Sequence, residues 1–181
     1  MPSLEWTMEG PPGSETILNG KRYLYFAGTG YLGLHGHPEV IAAATNAIQK
    51  YGVHSATTRT GFGTTPLLRE VEERASSFLG AQDALYLSTG FAGNSVITAA
   101  IKDRVATVLL DEQSHDSLRE AVHRLDSLKR PPIYFRHRDP AHVRELVVEH
   151  ARPGLPLLLM TDGVFAVSGK FAPIAEYLEV L

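Results

Sequence analysis

Short apolar runs alternate with amphipathic stretches through the second half of the chain. The pattern predicts strands at residues 84–88, 105–110, 133–137 and 155–161, and helices at residues 92–101, 114–125, 141–150 and 174–181. Unbroken apolar strands separated by helices are typical of a parallel sheet that is covered on both faces. We therefore predict an α/β fold, whose ligands bind beyond the carboxyl ends of the strands.

The first half of the chain predicts smaller elements. Residues 1–14 carry Pro and Gly without periodicity, which favours an arm, and residues 17–26 predict a hairpin with Asn19 and Gly20 in its turn. One helix is expected to begin at Pro38 and to end before Gly52. A hydroxyl-rich loop over residues 53–65 leads into a second helix, which Thr65 caps and Gly80 ends.

The stretch STGFAGN at residues 88–94 lies between a predicted strand and a predicted helix. The first turn of a helix has N–H groups without intrahelical partners and carries partial positive charge. We therefore expect the Gly90 and Phe91 N–H groups to bind a phosphate, with the hydroxyls of Ser88 and Thr89 as further donors. The alternative is that this small-residue turn only connects the two elements.

Three more side chains are candidates for ligand contacts. Two of them lie at the same edge of the predicted sheet and one lies in the polar loop. His115 can stack on a planar ligand or hold its substrate, and Asp162 can contact a cationic group. Arg59 in the polar loop can hold a carboxylate or a phosphate. Each has a structural alternative, namely a capping histidine, an Asp-Gly turn and a solvated surface arginine.

Composition excludes several classes of function. The chain has 181 residues, of which 44% are hydrophobic, and its net charge of −3 offers no electrostatic reason to bind nucleic acid or a membrane. It has no cysteine, no pair of its eight histidines has metal-ligand spacing with a carboxylate partner, and no GxSxG motif occurs. With no apolar signal segment at its start, the sequence predicts a soluble, cytoplasmic protein without a metal site.

Five stretches, taken together, resemble the α-oxoamine synthase family of fold-type-I enzymes that use pyridoxal 5'-phosphate (PLP). They are NGKRYLYFAGTGYLGLHGHPEV, YGVHSATTRTGFGTTPLLREVEERASSFLG, ALYLSTGFAGNSVITAAI, DEQSHDSLREAV and LLLMTDGVFAVSGKFAPI. The resemblance implies a PLP-dependent acyl-CoA:amino acid C-acyltransferase. It also implies an N-terminal arm, hairpin and first helix over residues 1–52. Residues 53–181 would be the first, truncated part of the PLP-binding large domain.

The resemblance assigns roles to residues of the cofactor site. By similarity to the family, the Gly90 and Phe91 N–H groups bind the cofactor phosphate beside Thr89, and Asn94 lies behind the phosphate turn. His115, four residues after Asp111, matches the histidine that stacks on the cofactor ring.

Asp162 matches the acid near the substrate in the family segment TDGVFSMDG. The family serine of that segment is Ala166 in this chain, and Ser168 is our candidate for supplying a hydroxyl to the cofactor from two residues further on. The arginine that family members place upstream for the substrate carboxylate has no counterpart in the arm.

The family lysine that binds the cofactor covalently has no counterpart within the sequence, since Lys170 matches no catalytic position. We therefore expect the 181 residues alone to be an incomplete, inactive portion of such an enzyme. Two alternatives remain open. One is a PLP-dependent enzyme of the aminotransferase class I/II group, and the other is a noncatalytic phosphate-binding α/β module.

The resemblance also implies partners. Amino acid and acyl-CoA substrates are expected, together with a homodimer in which both subunits contribute to the active site. Thr58 and Arg59 are our candidates for a substrate or cross-subunit contact.

Overall fold

The computed structural model describes residues 5–123 and 131–181. The first four residues of the predicted arm, and the last two of the helix predicted at residues 114–125, lie outside the described residues. The chain forms two compact units, Met1–Tyr86 and Leu87–Leu181.

The first unit contains the predicted hairpin. Strands β1 (Glu15–Leu18) and β2 (Lys21–Leu24) pair antiparallel, with Leu18 opposite Lys21. Asn19 and Gly20 both have positive φ, 49° and 73°, which is the backbone that a two-residue hairpin turn of this type requires. The arm runs along β1, with Met8 bridged to Leu18.

Two helices of the first unit begin and end at the residues that the sequence marks. Helix α1 (Pro38–Tyr51) starts at a proline, and helix α2 (Pro66–Leu79) is capped by Thr65, whose hydroxyl accepts a hydrogen bond from the Leu68 N–H. Gly80 ends α2 in the left-handed conformation at φ 62°. Neither helix has a buried residue.

The second unit contains a three-stranded parallel sheet. Strands β3 (Thr107–Asp111), β4 (Ile133–Phe135) and β5 (Leu157–Met160) are arranged in the order β4-β3-β5, with Leu110 of β3 opposite Tyr134 and Met160. The predicted parallel sheet is therefore confirmed. The carboxyl ends of the three strands lie at one edge, where the candidate site is expected.

Helices α3 (Gly90–Ile101), α4 (Asp116–His123), α5 (Pro140–His150) and α6 (Ile174–Val180) complete this unit. Successive residues of β3 face opposite sides, because side chains alternate along a strand. Leu110 packs with Leu118 of α4, whereas Leu109 packs with Val143 of α5 and Tyr177 of α6. Leu109 and Leu110 are fully buried, and burial of each side chain contributes about 1.5–3 kcal/mol to the free energy of unfolding.

The strand predicted at residues 84–88 is not formed, and the prediction is wrong in this respect. A strand requires a pairing partner, and no described strand pairs with this segment. The Tyr86 N–H donates instead to the Glu72 carboxylate at 2.7 Å, and the Tyr86 carbonyl accepts from Arg59 at 3.3 Å. Side chains therefore bind the backbone groups that a neighbouring strand would otherwise satisfy.

No helix in the described residues is both long enough and apolar enough to cross a membrane.

Candidate functional site

The turn before α3 has the geometry of an anion site. The Thr89 hydroxyl caps the helix and accepts the Phe91 N–H at 3.2 Å, so one of the two predicted phosphate donors has an internal partner. The Gly90 N–H donates no hydrogen bond within the described residues. Gly90 is exposed, and a Cβ on it would meet no atom within 4 Å. Such a donor is available to an oxyanion.

His115 lies at the start of α4, directly beyond β3. Its backbone N–H donates to the Asp162 carboxylate at 2.7 Å, and Asp162 lies just beyond β5. The His115 ring is edge-on to Phe91, with centroids 6.3 Å apart and planes inclined at 69°. Residues from α3, from the end of β3 and from the end of β5 thus meet at one edge of the sheet.

Asn94 joins α3 to α4 through a serine. Its amide Nδ2 donates to the Ser117 hydroxyl at 2.9 Å, and that hydroxyl lies 2.8 Å from Nδ1 of His115. Ser117 is buried. The sequence places Asn94 behind the phosphate turn, and the structure adds that its side chain reaches the histidine network.

A second network surrounds Asp111, the last residue of β3. This carboxylate is fully buried. It accepts hydrogen bonds from the Gln113 N–H at 2.8 Å, from His137 Nδ1 at 3.0 Å and from the Arg138 N–H at 3.0 Å. Arg138 has a positive φ of 57°. A buried carboxylate is stable when donors surround it in this way.

The Asp111 network also holds the segment that carries Ser168. The His137 ring is 4.3 Å from that of Phe165, and the Arg138 guanidinium donates to the Phe171 carbonyl at 2.7 Å. Between these two phenylalanines the chain forms a tight turn, in which the Ser168 hydroxyl accepts the Lys170 N–H at 3.4 Å. Ser168 is exposed and forms no hydrogen bond with His115 or Asp162 within the described residues.

Tyr177 packs in the core with Leu109 and Phe135 of the sheet. Its ring packs against Phe135, with centroids 5.7 Å apart, and its hydroxyl is buried without a hydrogen-bond partner in the described residues. Burial, with a smaller effect from the Asp111 charge, raises the pKa of Tyr177 to about 12.

Thr58 and Arg59 lie in the first unit. The Arg59 guanidinium forms a bidentate ion pair with Glu72, at 2.6 and 2.8 Å. Hydrogen bonds from Arg59, and then from the Tyr86 N–H, lower the pKa of the Glu72 carboxyl to about 2. The Thr58 carbonyl accepts the N–H groups of Gly61 and Gly63, and its hydroxyl lies 3.1 Å from that of Thr60. Both residues thus have internal partners, and their predicted intersubunit role stays a prediction.

Sequence reasoning missed the roles of Ser117, Asp111 and His137. Ser117 is two residues after His115, the spacing at which a side chain at a helix start meets the second backbone N–H of the helix. Asp111 directly follows the apolar run of β3. That position in the sequence could have indicated a carboxylate at the buried end of the strand. Residues 5–123 and 131–181 contain no group of three or more side chains that could hold a metal ion.

The fold and the candidate site can now be compared with known proteins. The chain belongs to the family of aminotransferases of class I and II, whose model matches residues 24–181. Within that class, the resemblance to the α-oxoamine synthases is confirmed by the curated relatives and the solved structures.

The curated relatives include 8-amino-7-oxononanoate synthases. The protein of Thermosipho melanesiensis is 33% identical over 174 residues, which are 96% of this chain and 44% of the relative. That of Geobacter metallireducens is 35% identical over 168 residues, or 92% of this chain and 42% of the relative. The chain thus spans less than half the length of the curated relatives it matches.

Solved structures agree with the fold. The K265A variant of a serine palmitoyltransferase from S. paucimobilis, with a bound PLP-myriocin aldimine, superposes with a TM-score of 0.85 at 26% identity, over 97% of this chain and 44% of that one. An 8-amino-7-oxononanoate synthase from Francisella tularensis has a TM-score of 0.65 at 18% identity and covers 82% of this chain and 39% of its own. The second likeness concerns the fold alone. The predicted fold, part of the large domain of the fold-type-I PLP enzymes, is confirmed.

Proposed function

We propose that this chain is part of a PLP-dependent acyl-CoA:amino acid C-acyltransferase. The observation that carries the proposal is the convergence of the Gly90 N–H, the His115 ring and the Asp162 carboxylate at one edge of the sheet. The relatives named 8-amino-7-oxononanoate synthase and the neighbours named serine palmitoyltransferase support it.

The residues present fit the phosphate and the ring of PLP. Gly90 is exposed and its N–H donates no hydrogen bond within the described residues, and the Thr89 hydroxyl accepts the Phe91 N–H but keeps its own hydrogen free to donate. These two groups would hold the phosphate, and the exposed His115 ring would cover the pyridine ring. When bound, PLP withdraws electrons from the α-carbon of an amino acid.

In this proposal, the residues of this chain bind the ligand and orient it. The bond from the His115 N–H to Asp162 fixes the loop after β3 against the segment after β5. The Asp111 network holds the turn that carries Ser168 through contacts with Phe165 and Phe171. Protein groups that are held in place before the ligand arrives lower the cost of binding it.

Transamination is the second candidate. The matching family model is that of the class I and II aminotransferases, and Ala166 stands where the synthases have a serine. An aminotransferase consumes a 2-oxo acid and needs no thioester, so the two candidates differ in their second substrate.

The test uses the full-length protein loaded with PLP and supplied with single amino acids. We expect release of the free thiol of CoA only when both an amino acid and an acyl-CoA are present, and no amino transfer to pyruvate or 2-oxoglutarate. Amino transfer without thioester would replace the first candidate by the second. Absence of PLP binding would overturn both, and omission of each substrate in turn is the control.

The homodimer and the cytoplasmic location are also proposals. In a dimer, the loop that carries Thr58 and Arg59 would contribute to the partner's site. Sedimentation of the full-length protein tests whether it is a dimer. Mixing two variants that are inactivated at different residues tests whether the subunits share active sites, because a hybrid dimer regains activity only if they do. Cell fractionation tests the location.

A further inference from the structure

Two groups of Ser117 contact the same nitrogen of His115. The Ser117 backbone N–H lies 3.1 Å from His115 Nδ1, and the Ser117 hydroxyl oxygen lies 2.8 Å from it. A backbone N–H can only donate, so Nδ1 must supply the acceptor lone pair. In the neutral imidazole, the other nitrogen then carries the hydrogen.

Asn94 orients the serine hydroxyl toward the same result. Its Nδ2 donates to Ser117 Oγ at 2.9 Å, which uses a lone pair of that oxygen and leaves the hydroxyl hydrogen for Nδ1. Ser117 is buried and Asn94 is half-buried, so water competes little for these contacts. His115 itself is exposed, and its Nε2 has no hydrogen-bond partner within the described residues.

We propose that Ser117, oriented by Asn94, is a positioning residue that fixes the neutral His115 ring in the tautomer with hydrogen on Nε2. In this tautomer His115 offers a bound ligand a hydrogen-bond donor and has no lone pair on Nε2 with which to accept a proton. His115 therefore orients a ligand and does not act as a base through Nε2. This consequence rests on the proposed function, whereas the tautomer is a property of the chain alone.

The experiment is NMR of the full-length protein labelled with ¹⁵N at histidine, recorded without substrate above the pH at which histidine is protonated. The His115 signals are assigned by their loss in His115→Gln. We expect the wild-type ring to carry its hydrogen on Nε2. Removing one of the two donors in Ser117→Ala should raise the Nδ1-protonated fraction roughly five- to tenfold, and Ser117→Thr, which retains a hydroxyl, should restore the wild-type signals.

Ser114→Ala is the matched control, because Ser114 is buried in the same loop and its hydroxyl has no partner in the described residues. Its His115 signals should match those of the wild type. Asn94→Ala leaves both serines in place and should shift the tautomer in the same direction as Ser117→Ala. It provides the test if Ser117→Ala does not fold.

Hydrogen on Nδ1 in the wild type would overturn the inference, as would unchanged His115 signals in both Ser117→Ala and Asn94→Ala. Because no substrate or turnover enters this measurement, its failure is distinct from failure of the proposed acyl transfer.

Discussion

The backbone N–H of His115 donates to Oδ2 of Asp162 at 2.7 Å, although 47 residues separate the two. The bond joins the loop after β3 to the segment after β5. Asp162 therefore holds the main chain of His115 in place. Both residues were candidates from the sequence, and their direct contact is a finding of the structure.

Asp162→Ala removes this acceptor. We expect the free energy of unfolding to fall by about 0.5–1.5 kcal/mol, because the His115 N–H loses its partner. PLP affinity should also fall, since His115, the proposed ring-stacking residue, is less well held. Denaturant titration and PLP titration of the full-length protein measure the two effects. Asp162→Asn keeps a carbonyl oxygen and should retain most of the stability. Equal stability of Asp162→Ala and the wild type would contradict the structural role.

Gly90→Ala separates the fold from the site. The added Cβ meets no protein atom within 4 Å, so the fold should be unharmed, and the thermal midpoint of the cofactor-free protein should be equal or slightly higher. The methyl group would add bulk at the proposed phosphate site and should weaken PLP binding. Fluorescence titration with PLP measures this loss.

Gly93→Ala is the matched control in the same helix. Its Cβ would reach ordinary contact with Leu87 at 4.0 Å. Unaltered PLP affinity in Gly90→Ala would contradict the proposed phosphate site.

Tyr177→Phe removes a buried hydroxyl that has no partner in the described residues. The ring contact with Phe135 is retained, and we expect the free energy of unfolding to stay equal or to rise by up to about 1 kcal/mol. Tyr177→Ala, which removes the ring from the core, should cost about 3–5 kcal/mol. Denaturant midpoints compare the three proteins, and a loss above about 1 kcal/mol in Tyr177→Phe would reveal a partner of the hydroxyl.

Glu72 should contribute to the acid sensitivity of the fold. Hydrogen bonds from Arg59 and then from the Tyr86 N–H lower the pKa of its carboxyl from 4.5 to about 2. Ionised Glu72 therefore stabilises the folded chain above pH 4.5, and this contribution is lost as the pH falls from 4.5 towards 2. The stability difference between wild type and Glu72→Gln should accordingly be largest near neutral pH and shrink over this window.

Urea midpoints measured across the pH series test this dependence. Glu70→Gln also removes one carboxylate of α2, from an exposed pair with Arg74, and is the matched control because such pairs add little stability. A Glu72→Gln difference that is independent of pH would contradict the assignment.

Local chemistry explains which elements the sequence could predict. The Asn19-Gly20 turn, the Thr65 cap followed by Pro66, and the Gly80 stop each depend on neighbours in sequence, and each occurs where predicted. The parallel sheet follows from apolar runs separated by helices. The sequence therefore predicted that Gly90, His115 and Asp162 lie at one edge of the sheet.

Contacts between distant residues could not be predicted in the same way. The bridge from Asn94 to His115 through Ser117 depends on how α3 packs against α4, and the three donors to Asp111 come from two different loops. Residues 84–88 look like a strand, but pairing depends on a neighbour that the segment itself does not specify.

The bonds to Tyr86 have a consequence for sheet growth. In an extended chain, the N–H and C=O of one residue point to the same side, and those of the next residue point to the other. Glu72 and Arg59 already bind both groups of Tyr86, so one side of this segment is closed to a further strand. The ion pair of Arg59 and Glu72 thus occupies the backbone groups with which Tyr86 would pair with a further strand on that side.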